Sequence, residues 1–140
     1  MQNYARLIGI DVGTKRIGLA QTDLLQTIAS PVGTFSPEDV LSKIEQITKE
    51  YPVEKIIIGW PLTTDGEEGS ATKMVSRFIA KLTKEFPTIP IEKIDERYTS
   101  NNAKSMMIEI GIPKKKRRQK ERVDRIAAAI ILQNYLDATY

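Results

Sequence analysis

A chain of 140 residues is long enough for one domain with one sizeable core, and its apolar and charged fractions, 41% and 28%, are those of an ordinary globular protein. It has neither cysteine nor histidine, which excludes a disulfide framework, zinc sites built on thiolate and imidazole, and Ser-His-Asp or Cys-His nucleophilic systems. The net charge of +3 is concentrated: residues 114–125 hold eight Lys and Arg against two acids, leaving the remaining chain at −3, a pattern that points to a patch facing a polyanion.

Residues 5–11 read as a first strand, with Leu7, Gly9 and Asp11 on one face and Ile8 and Ile10 on the other. Val12-Gly13-Thr14 turns the chain, and residues 16–22 return as the second strand of a hairpin. A weaker strand lies near 29–35. Ser36-Pro37-Glu38-Asp39 then opens a helix by local rules, with Ser as N-cap, Pro at N1 and acids in the first turn. Val40, Leu41, Ile44, Ile47 and Tyr51 give it an apolar stripe that stops before Pro52. Residues 55–58, KIII, form a strand covered on both faces, ending at Gly59-Trp60-Pro61-Leu62.

After the polar TTDGEEGS, a second helix over 70–86 carries Met74, Val75, Phe78, Ile79, Leu82 and Phe86 on one side. A strand over 89–95 ends in Asp95-Glu96-Arg97. Thr99 or Ser100 caps a helix bearing Ala103, Met106, Met107 and Ile110, closed by Gly111 and Pro113. From Lys114 onward neither Gly nor Pro occurs, and Val123, Ile126, Ala127, Ile130 and Ile131 mark a last helix. A hairpin followed by alternating helices and strands predicts an α/β layer fold with a mixed sheet, in one domain over 1–140. No apolar run approaches the ~20 residues of a membrane span. The first residues lack a signal peptide's charged and apolar regions, so the expectation is a cytoplasmic protein with no membrane partner.

Acids stand where apolar elements end or open. Asp11 closes the first strand, Asp95 and Glu96 close the last, and Asp124 sits in the final helix, where Ala127 and Ala128 would let the helix lie close to the sheet. Such a carboxylate cluster does not persist as bare like charges, so it implies protonation, pairing or a divalent cation. Without His or Cys, the default metal is a hard, oxygen-ligated cation, Mg²⁺ or Mn²⁺. Cations held this way activate water and stabilise the leaving oxygen in phosphodiester hydrolysis.

A nuclease also needs positive charge beside its acids so that phosphates can approach. Lys114, Lys115, Lys116, Arg117, Arg118, Lys120, Arg122 and Arg125 supply it near Asp124, and Lys15, Arg16 and Arg97 near the other acids. Aromatics are sparse around the run, so contact to the nucleic-acid backbone is expected more than base stacking. Plainer explanations stand beside these. Asp11 could simply orient the Gly13 turn, Glu96 and Arg97 could be a solvated pair, and Asp124 could pair with Arg117, Lys120 or Arg125.

Four segments in register narrow the choice. GIDVGTKRIGLAQTD, GWPL with DGEEG after it, DERYTS, and VDRIAAAIILQNYL follow one another in the order and spacing of the YqgF/RuvX family, and the likeness covers essentially the whole chain. The sequence therefore resembles these RNase H-like, Holliday-junction-resolvase-related proteins, described as nucleases of pre-16S rRNA. The resemblance implies a mixed five-stranded sheet flanked by helices and a divalent-metal nuclease site. Its carboxylates would be Asp11, Glu96 and Asp124, with Asp95 as a substitute for Glu96. It implies a structured RNA or branched DNA substrate, and a homodimer where a junction is cut symmetrically.

Trp60 departs from the aliphatic residue more usual between that Gly and Pro, and is expected to alter the groove wall. Two other readings remain. Asp-Val-Gly-Thr-Lys followed by Gly18 also resembles the first phosphate loop of actin-like and sugar kinases, which need a second domain that this chain has no room for. A nucleic-acid-binding module could also keep the fold without the chemistry.

Overall fold

The computed structural model describes residues 4–61, 69–95 and 120–139, the side chains of 120–125 and 139 excepted. Along them run β1 (Arg6–Val12), β2 (Ile17–Thr22), β3 (Ala29–Phe35), α1 (Pro37–Glu50), β4 (Val53–Trp60), α2 (Ser70–Glu85), β5 (Ile91–Asp95) and α3 (Lys120–Thr139). The strand ends fall within two residues of the sequence expectation. β4 extends two residues beyond its apolar run at each end because its neighbours continue to pair with it, β1 at the start and β5 at the end. The helix expected after Thr99 or Ser100 lies outside the described residues.

The sheet has the order β3-β2-β1-β4-β5. β1, β2 and β3 form an antiparallel meander, while β4 and β5 run parallel to β1. At the hairpin Val12 pairs with Ile17, and the Gly13 N–H donates to the Arg16 carbonyl at 2.9 Å.

Strand alternation sorts the core into two layers. Ile8 and Ile10 of β1 and Ile56 and Ile58 of β4 meet Val40 and Ile44 of α1 and Val75, Phe78 and Leu82 of α2. Leu7 and Ile57 point the other way, against Ala128, Ile131, Leu132 and Leu136 of α3. Fully burying each such aliphatic side chain contributes roughly 1.5–3 kcal/mol. This two-sided cover explains why Ile56-Ile57-Ile58 is continuous rather than alternating.

Local chemistry sets the ends of α1. The Ser36 hydroxyl accepts from the Asp39 N–H at 3.1 Å, and Pro37 occupies the first turn. Tyr51, expected on the buried stripe, is instead 40% exposed. It is the C-cap residue, extended rather than helical, so it leaves the stripe. Its ring lies under the Arg6 guanidinium, 5.0 Å from the centroid.

The sheet and α3 come closest at Gly9. A Cβ there would lie 2.8 Å from the Ala128 carbonyl oxygen and 2.9 Å from Leu132 Cβ, so only a hydrogen fits. Further along the helix, Gln133 Oε1 accepts from the Ala29 N–H at 3.0 Å, and Lys55 Nζ donates to the Tyr135 hydroxyl at 2.9 Å. Lys55 is in register with Leu7. Residues 133–135 therefore lie over the start of β1, and Ala128 and Leu132 over its middle. Helix α3 runs antiparallel to β1, with its N-terminal end directed at the end of that strand.

Candidate active site

Because β1, β4 and β5 are parallel, they end at one edge of the sheet, at Val12, Trp60 and Asp95. Asp11 is half-buried there. It pairs with Gly18 across the hairpin and shares the face of Leu7 and Gly9, which is the α3 face. From Gly9 to Asp11 the strand advances about 7 Å. From residue 128 back to 124 the helix advances about 6 Å, and because it is antiparallel it travels the same way. Positions 124, 128 and 132 share one helical stripe. The backbone position of Asp124 therefore lies over the strand end that bears Asp11.

Of the DER segment, only Asp95 belongs to the described residues. Ile91 packs against the α1/α2 layer and Ile94 against the α3 layer. By alternation, Asp95 falls on the side of Ile91, the face opposite Asp11. As a member of β5 it is therefore not a natural substitute for Glu96. Glu96 and Arg97 lie outside the described residues, as do Lys114, Lys115, Lys116, Arg117 and Arg118. Lys120, Arg122 and Arg125 belong to the first turns of α3, at the end directed toward Asp11. Among the described residues no three Asp or Glu converge; of the expected three, only the Asp11 side chain is described.

Trp60 does not line the carboxylate side. It packs against the α1/α2 layer, and Lys93 Nζ sits 3.9 Å from its ring centroid. Any change that Trp60 makes to a groove wall therefore falls on the face opposite Asp11, where alternation along β4 sends this side chain. Lys15 and Arg16 are exposed in the hairpin turn that follows Asp11. Arg77 and Lys81, which line a pocket with that turn, escaped the sequence reading because only the apolar side of α2 was considered. Their i,i+4 spacing was the available signal.

Two shifted groups lie at the other end of the sheet, where they support structure. The Thr27 hydroxyl, donating at 2.6 Å, and the N–H groups of Thr27 and Ile28 at 2.7 and 3.0 Å hold the Asp23 carboxyl down at about 2. The Tyr135 hydroxyl, with Glu92 nearby, raises Lys55.

Comparison with known proteins agrees with this architecture. A family model described as "RuvX: Holliday junction resolvase" matches residues 5–138. A protein of Chlorobium phaeobacteroides (strain BS1) is 46% identical over 134 residues, covering 96% of this chain and 93% of its own. One of Bacteroides thetaiotaomicron is 42% identical over 134 residues, covering 96% and 97%. Both bear the name "Putative pre-16S rRNA nuclease". Among solved structures, T. thermophilus RuvC in complex with a Holliday junction substrate superposes with a TM-score of 0.56 at 13% identity, covering 97% of this chain and 96% of that one. That likeness shows the expected RNase H-like fold. Among the described residues no helix is long and apolar enough to cross a membrane.

Proposed function

The chain belongs to the RuvX Holliday junction resolvase family, and we propose that it is a divalent-metal-dependent nuclease processing the 5′ end of pre-16S rRNA. The observation carrying this reading is the half-buried Asp11 at the end of the central strand, on the face crossed by α3, with the backbone position of Asp124 over it. The names of the curated relatives support rRNA as substrate. Processing of rRNA implies a cytoplasmic enzyme.

Asp11, Glu96 and Asp124 would hold Mg²⁺ or Mn²⁺. The donor set is all oxygen, which suits these hard cations. When bound, the cation supplies an activated water and neutralises charge on the leaving oxygen. The chain's own part is to present the carboxylates from rigid elements. A strand and a helix locked together at Gly9 fix two of the three. Lys15, Arg16, Arg97 and the basic residues of 114–125 would draw phosphates toward these acids and hold the substrate backbone, which makes binding salt-dependent.

The family description favours a second reading, cleavage of branched DNA. A homodimer would then be expected, so that two strands are cut symmetrically. Labelled precursor rRNA and a four-way DNA junction, incubated with Mn²⁺, Mg²⁺ or EDTA, test both. The expected result is metal-dependent cutting of the rRNA that falls more than about 100-fold in Asp11→Asn. Preference for the junction would select the second reading. Cutting that survives in Asp11→Asn would overturn the metal-site assignment, and salt-sensitive binding without cutting would leave a binding module.

A further inference from the structure

On the opposite face from Asp11, the hairpin turn, the start of α1 and the side of α2 enclose a pocket of about 180 Å³. Its floor is apolar, formed by Val12 and Ile17 of the hairpin and by Met74 and Phe78 of α2. Its polar rim is cationic: Lys15 from the turn, and Arg77 and Lys81 one helical turn apart on α2. None of these three forms an ion pair among the described residues. Lys15 is more than sixty residues from Arg77 and Lys81 in sequence and is brought to them only by the packing of α2 beneath the hairpin.

We propose that this pocket takes an unpaired nucleotide of the strand that passes the carboxylates, its base on the apolar floor and its flanking phosphates on Lys15, Arg77 and Lys81. The inference rests on the proposed nuclease reading only in taking nucleic acid as ligand. Three observations carry it. A purely electrostatic backbone contact needs no apolar recess, whereas this pocket has one, walled by Met74 and Phe78. Its volume corresponds to about six waters, which suits one base. Lastly, Asp11 and Val12 are neighbours on opposite faces of β1. A single strand folding over the hairpin edge would offer one phosphate to the carboxylate face and a nearby base to the pocket. Duplex RNA or DNA could not make that turn without unpairing, so the pocket selects substrates with an unpaired segment beside the cut.

The test is a binding experiment in EDTA, with no cleavage required. Hexauridylate and the abasic ribose-phosphate hexamer of equal length and charge are titrated into full-length protein. The methyl resonance of Met74 is followed by NMR, identified by its loss in Met74→Leu. Hexauridylate is expected to bind at least about fivefold more tightly than the abasic chain, as apolar contact of a base with the pocket floor provides, and to shift the Met74 methyl. Arg77→Gln combined with Lys81→Gln, both at exposed positions, should weaken binding about tenfold at low salt and abolish that shift. Absence of binding, equal affinity for the two oligomers, an unmoved Met74 methyl, or unchanged affinity in the double variant each overturns the proposal. The readout is binding in EDTA at a pocket on the face opposite Asp11, and it does not depend on cleavage. A failure of the cleavage reading therefore leaves the pocket result standing, and a failure of the pocket leaves metal-dependent cleavage standing.

Discussion

Gly9→Ala adds one methyl group where β1 and α3 are closest. Its carbon would stand 2.8 Å from the Ala128 carbonyl oxygen and 2.9 Å from Leu132 Cβ, against about 3.4 Å for ordinary contact. Neither neighbour is the free end of a flexible side chain, so the helix itself must lift by about half an ångström. Overpacking of this kind costs typically 1–3 kcal/mol, and the absence of a yielding atom argues for the upper part of that range. Restricting the unfolded chain offsets about 0.4–1 kcal/mol. The expected net loss is about 1–2 kcal/mol, or a Tm lowered by roughly 4–8 °C in a chain of this size.

Urea denaturation followed by circular dichroism measures the loss, and the m-value should be unchanged. Lifting α3 also moves position 124 relative to Asp11. Cleavage assayed well below the transition should therefore fall further than the unfolded fraction explains. A Gly9→Ala protein as stable and as active as the wild type would refute the close approach and the alignment argued from it.

The Thr22 hydroxyl, 1% exposed as a residue, accepts from the Leu7 N–H at 2.9 Å. Thr22→Val keeps the shape but strands that buried N–H, and should cost about 1–3 kcal/mol by urea denaturation; a cost below ~0.3 kcal/mol would mean that another acceptor takes over. Asp23, held at about 2 chiefly by the Thr27 hydroxyl, contributes stability that is present above its unfolded value near 3.9 and is lost as pH falls toward 2. Stability measured from pH 5 to pH 2 should fall less steeply in Asp23→Asn, and identical slopes would rule out the linkage. Lys55, raised mainly by the Tyr135 hydroxyl, contributes below its unfolded value near 10.4 and loses that contribution as pH rises through the folded one. Tyr135→Phe should cost about 1 kcal/mol at pH 8, with the difference from wild type shrinking above pH 10.5. A constant difference across that range would remove Lys55 from the explanation.

The two faces of the strand ends divide the proposed work. On one, Asp11 and the basic start of α3 would serve the scissile phosphate. On the other, the apolar pocket rimmed by Lys15, Arg77 and Lys81 would hold what lies beside it. The hairpin turn closed by the Gly13 N–H joins them, so Lys15 acts on the α1/α2 side although it follows Asp11 by only four residues.

What could be read from sequence alone was what depends on neighbouring residues. Apolar runs on either side of the Gly13 turn announced β1 and β2, Ser36-Pro37 announced the start of α1, and the three consecutive isoleucines of β4 announced a strand covered on both sides. These are local because backbone pairing geometry, capping and side-chain direction are set within a few residues. The resemblance to the YqgF/RuvX family implied Asp11, Glu96 and Asp124, and the uneven charge distribution pointed to the basic run. The sequence did not say which face of the sheet each side chain would occupy relative to the others. Asp95 lies across the sheet from Asp11 because β4 and β5 pair in one register rather than the next, and a slip of one residue would reverse every face. Trp60 follows the same rule. The contact of Gly9 with Ala128 and the joining of Lys15 to Arg77 and Lys81 arise where segments far apart in the chain pack together. They depend on the closing of the layers on the sheet, which no local pattern encodes.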